Sequence, residues 1–144
     1  MEGAPRVRFF DACKKGISGF NDYNSRSRRS EYWFFGLGVC ICDIILGIIL
    51  AIIQAITKNE TITYIISGCF NMLIFFLFGL PLSVRRLHDI GKSGYFMFLC
   101  LIPIIGELIL IYFFVQDSDR EQNEYGPSPK YSNANSGFLP SETP

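Results

Sequence analysis

Apolar residues in this chain fall into three long blocks, Tyr32 to about Ile56, Ile62 to Val84 and Tyr95 to Val115, parted by short polar stretches. Each block reaches the length of about 20 residues that a helix rising 1.5 Å per residue needs to cross a bilayer's hydrocarbon core. Each is therefore expected as a membrane-spanning helix. Tyr32 and Trp33 open the first block, as aromatics do at a membrane interface. The third block is interrupted by Pro103 and Gly106, which leaves a second geometry open: a broken helix that re-enters and returns its C-terminal end to the starting side. The expected architecture is an all-α, three-span transmembrane helical bundle. Residues 1–31 form a basic, cytoplasmic N-terminal segment, and 32–116 form the transmembrane domain, with helices at about 32–56, 62–84 and 95–115. Residues 117–144 are polar and aperiodic, and are expected to be disordered after about 130.

Ahead of the first block, Arg6, Arg8, Lys14, Lys15, Arg26, Arg28 and Arg29 accompany Phe10, Ile17 and Phe20, which have roughly helical spacing. This pattern fits a short interfacial helix with cations toward anionic head groups; a partly ordered tail is the alternative. The first apolar block begins too late and runs too long for a cleavable signal.

Composition supports the same class. Of 144 residues 49% are hydrophobic and 15% aromatic, and the apolar ones are gathered in blocks instead of being dispersed along amphipathic helices. The net charge is zero but segregated: cations crowd the first 30 positions and the stretch Val84–Gly94, and acids crowd Asp117–Glu124. The Lys/Arg bias places both basic clusters on the cytoplasmic side. With three spans, Lys58 and the acidic C-terminal region fall outside; with re-entry, the acids come back to the Arg clusters. Cys40, Cys42, Cys69 and Cys100 lie within the apolar blocks and, with Cys13, read as small buried hydrophobes. No Cys-x-x-Cys pair exists, so no zinc site, cofactor or nucleic-acid partner is expected.

Asp43, Asn71 and Glu107 are the residues a bilayer penalises, at about 2.5–3.5 kcal/mol for a charge at its centre. Counted from the interfacial ends of their blocks they lie about 16, 20 and 18 Å deep, in one layer near the midplane. Gly36, Cys40, Asp43, Gly47 and Ala51 form a small-residue stripe on the first helix, of the kind that lets helices approach closely. The expectation is that these faces meet, with Asp43 and Glu107 hydrogen-bonded to each other or to Asn71. Such a layer is either polar glue for a bundle or oligomer, or a proton or cation path.

At the surface, Arg26, Arg28, Arg29 and Glu31 precede the first helix, and Arg85, Arg86, His88, Asp89 and Lys92 lie between the second and third blocks. Val84–Gly94 is read as a charged turn joining two spans. Glu31 suits a helix N-terminus and has Arg28 one turn back as a partner. The two clusters are expected to converge, with Glu31 and Asp89 as counter-ions, and to grip a phospholipid head group or an acidic partner or simply to anchor the topology. His88 beside Asp89 does not form a catalytic pair, because adjacent residues do not aim a carboxylate at the neighbouring imidazole.

Arg26-Ser27-Arg28-Arg29-Ser30-Glu31-Tyr32-Trp33, Arg85-Arg86-Leu87-His88-Asp89 with Ser93-Gly94, Pro103-Ile104-Ile105-Gly106, and Asn123-Glu124-Tyr125-Gly126-Pro127-Ser128-Pro129 follow one another along the chain. In that order they resemble the family called domain of unknown function 805, over about residues Phe20 to Lys130. Ser25 stands where many members carry Gly. The resemblance implies a small multi-pass protein, mostly of bacterial inner membranes, and a structured turn where Asp117, Asp119, Glu121 and Glu124 lead into Tyr125-Gly126-Pro127. It implies no activity, and Asp43 and Glu107 match none of its motifs.

The functional expectation is a non-enzymatic membrane component that binds lipid or protein. Membrane lipids are the expected partners, with a second copy or another membrane protein as further candidates. A small-solute or proton pathway, or an accessory subunit of a transporter, is the alternative. A binding module needs the Arg, His and Asp motifs at the surface; a pathway needs Asp43, Asn71 and Glu107 facing a hydrated interior.

Overall fold

The computed structural model describes residues 7–131; Arg6 and the tail after residue 131, expected to be disordered, lie outside the described residues. Among the described residues the chain is helical, with a single isolated bridge between Asn123 and Gly126 and no strand.

Helix α1 (Phe9–Ser18) lies against the start of α2 (Arg29–Thr57). Ala12 and Gly16 form the buried side of α1, and a Cβ on Gly16 would stand 2.3 Å from the Phe35 ring. Phe10 and Ile17 form an outward apolar edge, 82% and 55% exposed, while Phe20 falls beyond the helix end. The N-terminal segment is thus helical over Phe9–Ser18, with one face on α2 and an apolar edge turned outward.

Helix α2 starts three residues before Tyr32 because Glu31 caps it. Its Oε2 accepts the Arg28 N–H at 3.3 Å and the Ser27 hydroxyl at 3.0 Å, satisfying donors a helix N-terminus leaves open. At the far end Lys58 turns left-handed (φ 55°) and returns its N–H to the Gln54 carbonyl at 2.8 Å. Asn59 then caps α3 (Glu60–Asp89) by accepting the Ile62 N–H at 3.3 Å. Within α3 a wide π turn, Phe75–Gly79, precedes Pro81, which lacks the N–H that a regular α-helix would use.

Helices α2 and α3 hold 29 and 30 residues, so each is about 45 Å long, enough to cross the hydrocarbon and both head-group layers. Only 6% and 11% of their most apolar stretches is buried inside the chain. Ile44, Ile48 and Ile52 therefore face outward, and hydrocarbon is the solvent that removes this surface from water. Gly36 and Gly47 also face open space, so among the described residues nothing packs against the small-residue stripe at these two positions. Cys40, Cys42, Cys69 and Cys100 are exposed and do not fill an interior, whereas Cys13 is half-buried between α1 and α2; all five thiols are free.

Two expected elements differ. Val84–Asp89 is the last part of α3 and not a turn; the turn is only Ile90–Ser93, with Gly91 at φ 66° and the Lys92 N–H returned to the Leu87 carbonyl at 2.9 Å. A cationic last turn complements the negative end of the helix dipole, so these charges extend the helix instead of stopping it. The third apolar block is not the single helix expected over 95–115. It runs as a 3-10 segment (Gly94–Leu101), reverses through Ile102–Ile104, and returns as α4 (Ile105–Val115). Ile104 adopts φ 67°, and a Cβ on Gly106 would stand 1.8 Å from the Leu99 carbonyl oxygen, so the reversal needs glycine there. The limbs have 8 and 11 residues and rise about 16 Å each, half of a bilayer core.

Leu87, Met97, Leu110 and Phe114 form the core that joins α3 to both limbs, with Tyr32 of α2 placing its ring 4.6 Å from that of Phe114. Burying those four side chains contributes roughly 6–12 kcal/mol before entropy is counted.

Candidate functional site

The two basic clusters do converge, on Asp89. Asp89 and Arg86 are fully buried and Arg26 is 5% exposed. Arg26 reaches Asp89 from the chain ahead of α2: its Nε donates to Oδ1 at 3.3 Å and its Nη2 to the Asp89 carbonyl at 3.0 Å. The same guanidinium donates to the carbonyls of Asp119 (2.9 Å), Glu121 (3.0 Å) and Gly126 (2.9 Å). All five of its N–H donors are thereby used. Arg86 donates to Asp89 Oδ2 at 2.6 Å, to the Phe114 carbonyl at 3.2 Å and to the Gln116 carbonyl. Ser118 completes the carboxylate's shell, donating to Oδ2 at 2.5 Å.

This knot brings the C-terminal segment back against the basic motifs, because the third block is a hairpin. Arg26 and Arg86 here neutralise carbonyls of irregular chain that would otherwise be buried unpaired. A buried ion pair of this kind gains little net energy over an apolar replacement, yet breaking one partner costs about 3–5 kcal/mol. Its work is to fix where residues 116–126 sit.

The other motif residues divide between structure and surface. Glu31 takes Lys15 of α1 as its cation, at 2.8 Å, which ties α1 to α2. Arg28, half-buried, donates to the Pro129 carbonyl at 2.7 Å. Arg29 is the exposed one, 3.7 Å from Asp117. Arg85, only 2% exposed, faces Asp22 at 3.8 Å and packs under Gly19, with Nε and Nη2 lacking hydrogen-bond partners. Burial favours a raised Asp22 carboxyl, but hydrogen bonds from Ser25 and Asn24 and the Arg85 charge carry it below the ordinary range. Burial likewise works against Asp117, and Lys130 at 2.6 Å, the Ser118 N–H and the Tyr131 hydroxyl carry it below.

His88 lies under the C-terminal segment. Its ring stacks on Tyr125 with centroids 3.6 Å apart and planes 3° from parallel, and its carbonyl accepts from Asn123 Nδ2 at 2.9 Å. Its Nδ1 is buried without a hydrogen-bond partner. Sequence reasoning missed Ser118, Asn123 and Tyr125 as members of this site. Asn123 and Tyr125 stand in the last of the four ordered motifs; Ser118, in an acidic run, carries no such signal.

The intramembrane layer is not assembled within one chain. Asn71 is exposed and donates to the Ser67 carbonyl of its own helix at 3.1 Å. Asp43 is half-buried, with Oδ1 lacking a partner, and Glu107 is exposed in the first turn of α4. No hydrogen bond joins the three.

Beside the knot, a groove of about 800 Å³ runs between α3 and the hairpin. Its mouth carries Tyr23, His88, Ser93 and Tyr125, and its floor is apolar, from Val84 and Met97 down to Phe75 and Leu101. From His88 to Phe75 is 13 residues along α3, about 20 Å, so the groove runs from the C-terminal end of the helix to near its middle.

The family described as "Protein of unknown function (DUF805)" matches residues 20–127. The chain belongs to that family. Two curated relatives from Escherichia coli strain K12 bracket the similarity. Inner membrane protein YhaI is 36% identical over 115 residues, 80% of this chain and 92% of the relative. Inner membrane protein YhaH is 34% identical over 117 residues, 81% and 93%. No solved structure matches the chain. The DUF805 match ends at residue 127, so it takes in the returning segment that Arg26 holds as well as the helices. Family membership and two long, outward-facing apolar helices make this an integral membrane protein.

Proposed function

We propose that this DUF805 protein is a non-enzymatic membrane component that binds lipid in the groove between α3 and the hairpin. In this reading α2 and α3 span the bilayer, the hairpin re-enters from the cytoplasmic side, and both termini lie on that side. Charge distribution supports the topology: of the 13 Lys and Arg residues in the sequence, Lys58 is the one at the α2–α3 loop, and a returning hairpin keeps Arg120 and Lys130 with the others. The observation that carries the lipid reading is the groove itself. It pairs uncharged polar side chains at interface depth with an apolar floor about 20 Å long, the amphipathic profile of a lipid. The Arg motifs serve it indirectly, by holding Tyr125 and the C-terminal segment over His88.

Native mass spectrometry of the full chain released from nanodiscs tests this. Wild type is expected to retain one lipid, and the double variant Val84→Phe with Leu101→Phe, which fills the floor, to lose it. The control Ile48→Phe, on an outward face of α2, retains it. Equal retention by all three would refute the assignment.

A further inference from the structure

The groove's mouth differs in chemistry from the head-group clamp that the Arg motifs suggest. None of the residues lining the groove is Lys, Arg, Asp or Glu. Of the nearby guanidinium groups, Arg26 and Arg86 are committed to Asp89 and main-chain carbonyls, and Arg85, 3.8 Å from Asp22, is buried beneath Gly19 outside the groove's lining. What the mouth presents is one imidazole, the Ser93 hydroxyl and the phenols of Tyr23 and Tyr125. His88 is 6% exposed and keeps Nδ1 unpartnered, and its Nε2 edge faces Gly94, 3.5 Å from where a Cβ there would be. Glycine at 94 thus sets no Cβ against the imidazole edge at the groove's entrance. Glu124 adds a negative charge at the rim: burial first, then the neighbouring carboxylate, hold the Tyr125 phenol above its ordinary range. A phosphate diester entering this mouth would meet no cation in the lining, and Lys92 and Glu124, each next to a lining residue, offset one another at the rim, so its charge would be poorly compensated.

Resting on the lipid reading above, we infer that the ligand of this groove has an uncharged head bearing hydroxyl or carbonyl groups, of the diacylglycerol, monoacylglycerol or long-chain alcohol class, and not an anionic phospholipid head. The Ser93 hydroxyl and the His88 ring exchange hydrogen bonds with such a head, while the tails lie along Phe75, Phe76 and Leu101. Both donors and acceptors at the mouth are neutral groups that a hydroxyl can pair with in either sense.

The experiment uses the full chain in detergent micelles at pH 8, where an imidazole with an ordinary pKa of about 6.5 is uncharged. Three probes share identical dioleoyl tails: dioleoylglycerol, dioleoyl phosphatidylglycerol and dioleoyl phosphatidylethanolamine. Their one-to-one adducts are compared by native mass spectrometry. Dioleoylglycerol is expected to be retained about fivefold or more over either phospholipid, the discrimination that one neutral hydrogen bond supplies. Ser93→Ala is expected to shrink that ratio to within about twofold by lowering retention of dioleoylglycerol while retention of the two phospholipids stays at the wild-type level; the Ser93 Oγ also accepts the Tyr95 N–H at 3.4 Å, so the unfolding temperature is recorded alongside. Lys92→Ala, beside the mouth but absent from its lining, should leave the ratio alone. Retention of phosphatidylglycerol or phosphatidylethanolamine equal to or above dioleoylglycerol would overturn the inference and leave the lipid groove standing. Retention of none of the three would overturn the lipid reading beneath it.

Discussion

Arg26→Ala is the sharpest perturbation of this fold. The side chain makes five hydrogen bonds, to the Asp89 carboxylate, the Asp89 carbonyl and the carbonyls of Asp119, Glu121 and Gly126. Hydrogen bonds to a charged group contribute about 1.5–3 kcal/mol each in isolation, but bonds sharing one donor group do not add. The carboxylate also keeps Arg86 and Ser118, which limits the loss on that side. Breaking one partner of a buried pair brackets the outcome at about 3–5 kcal/mol. For a domain of this size that lowers the unfolding temperature by about 10 °C or more. Arg26→Lys keeps the charge but, with three donors on one atom, cannot span four segments, and should fall between wild type and alanine. Circular dichroism melts in detergent give the stability, and limited proteolysis shows whether cleavage after Arg120 becomes fast. A shift under about 2 °C with residues 117–131 still protected would refute the claim that Arg26 holds the returning segment.

Further outcomes follow from other parts of the chain. Gly106→Leu places side-chain atoms where Leu99 already sits and should cost about 3 kcal/mol or prevent the hairpin from closing, read as lost expression and a lower unfolding temperature, whereas Gly47→Leu, facing open space, should be silent. Asp22 and Asp117 have depressed carboxyl pKa values, so their stabilisation is complete above about pH 4 and is lost as pH falls through the depressed values. Protection of the C-terminal segment in hydrogen exchange should therefore drop on acidification below about pH 4 and stay flat from pH 5 to 7. Asp43→Asn with Glu107→Gln should leave proton flux in proteoliposomes at the wild-type level, because the two acids and Asn71 share no hydrogen bond within the chain; a fall in flux would revive the pathway reading.

Apolar block lengths sufficed for α2 and α3 because hydrocarbon thickness constrains span length directly. The same criterion misjudged the third block, whose 21 residues have span length but not span geometry. What decides its path is local: Pro103 lacks an N–H, and Gly106 is the residue without a Cβ where the Leu99 carbonyl approaches. Pro103 and Gly106 were visible as a warning, but the sequence does not reveal that Leu99 lies opposite Gly106. The Arg85–Asp89 stretch looked like a surface turn because four of its five residues are polar or charged, and such residues usually face water. Its burial depends on the Phe114 and Gln116 carbonyls and the Ser118 hydroxyl, partners more than 25 residues away that periodicity cannot register. The convergence of Arg26 with Arg86 and Asp89 was legible from charge placement; that Arg26 and Arg86 turn inward, away from any head group, was not. The layer of Asp43, Asn71 and Glu107 rested on a straight third helix, and that premise fails at Ile102–Ile104.

The account stands or falls on the side of the membrane to which the chain returns after α4. A side-sensitive reporter fused after Lys130, compared with the same reporter at the N-terminus and in the Lys58 loop, measures this directly. The re-entrant hairpin predicts that the Lys130 and N-terminal fusions report the cytoplasm and the Lys58 fusion reports the outside. A Lys130 fusion that reports the outside together with Lys58 would contradict it, because Arg26 could not then hold Glu121 and Gly126.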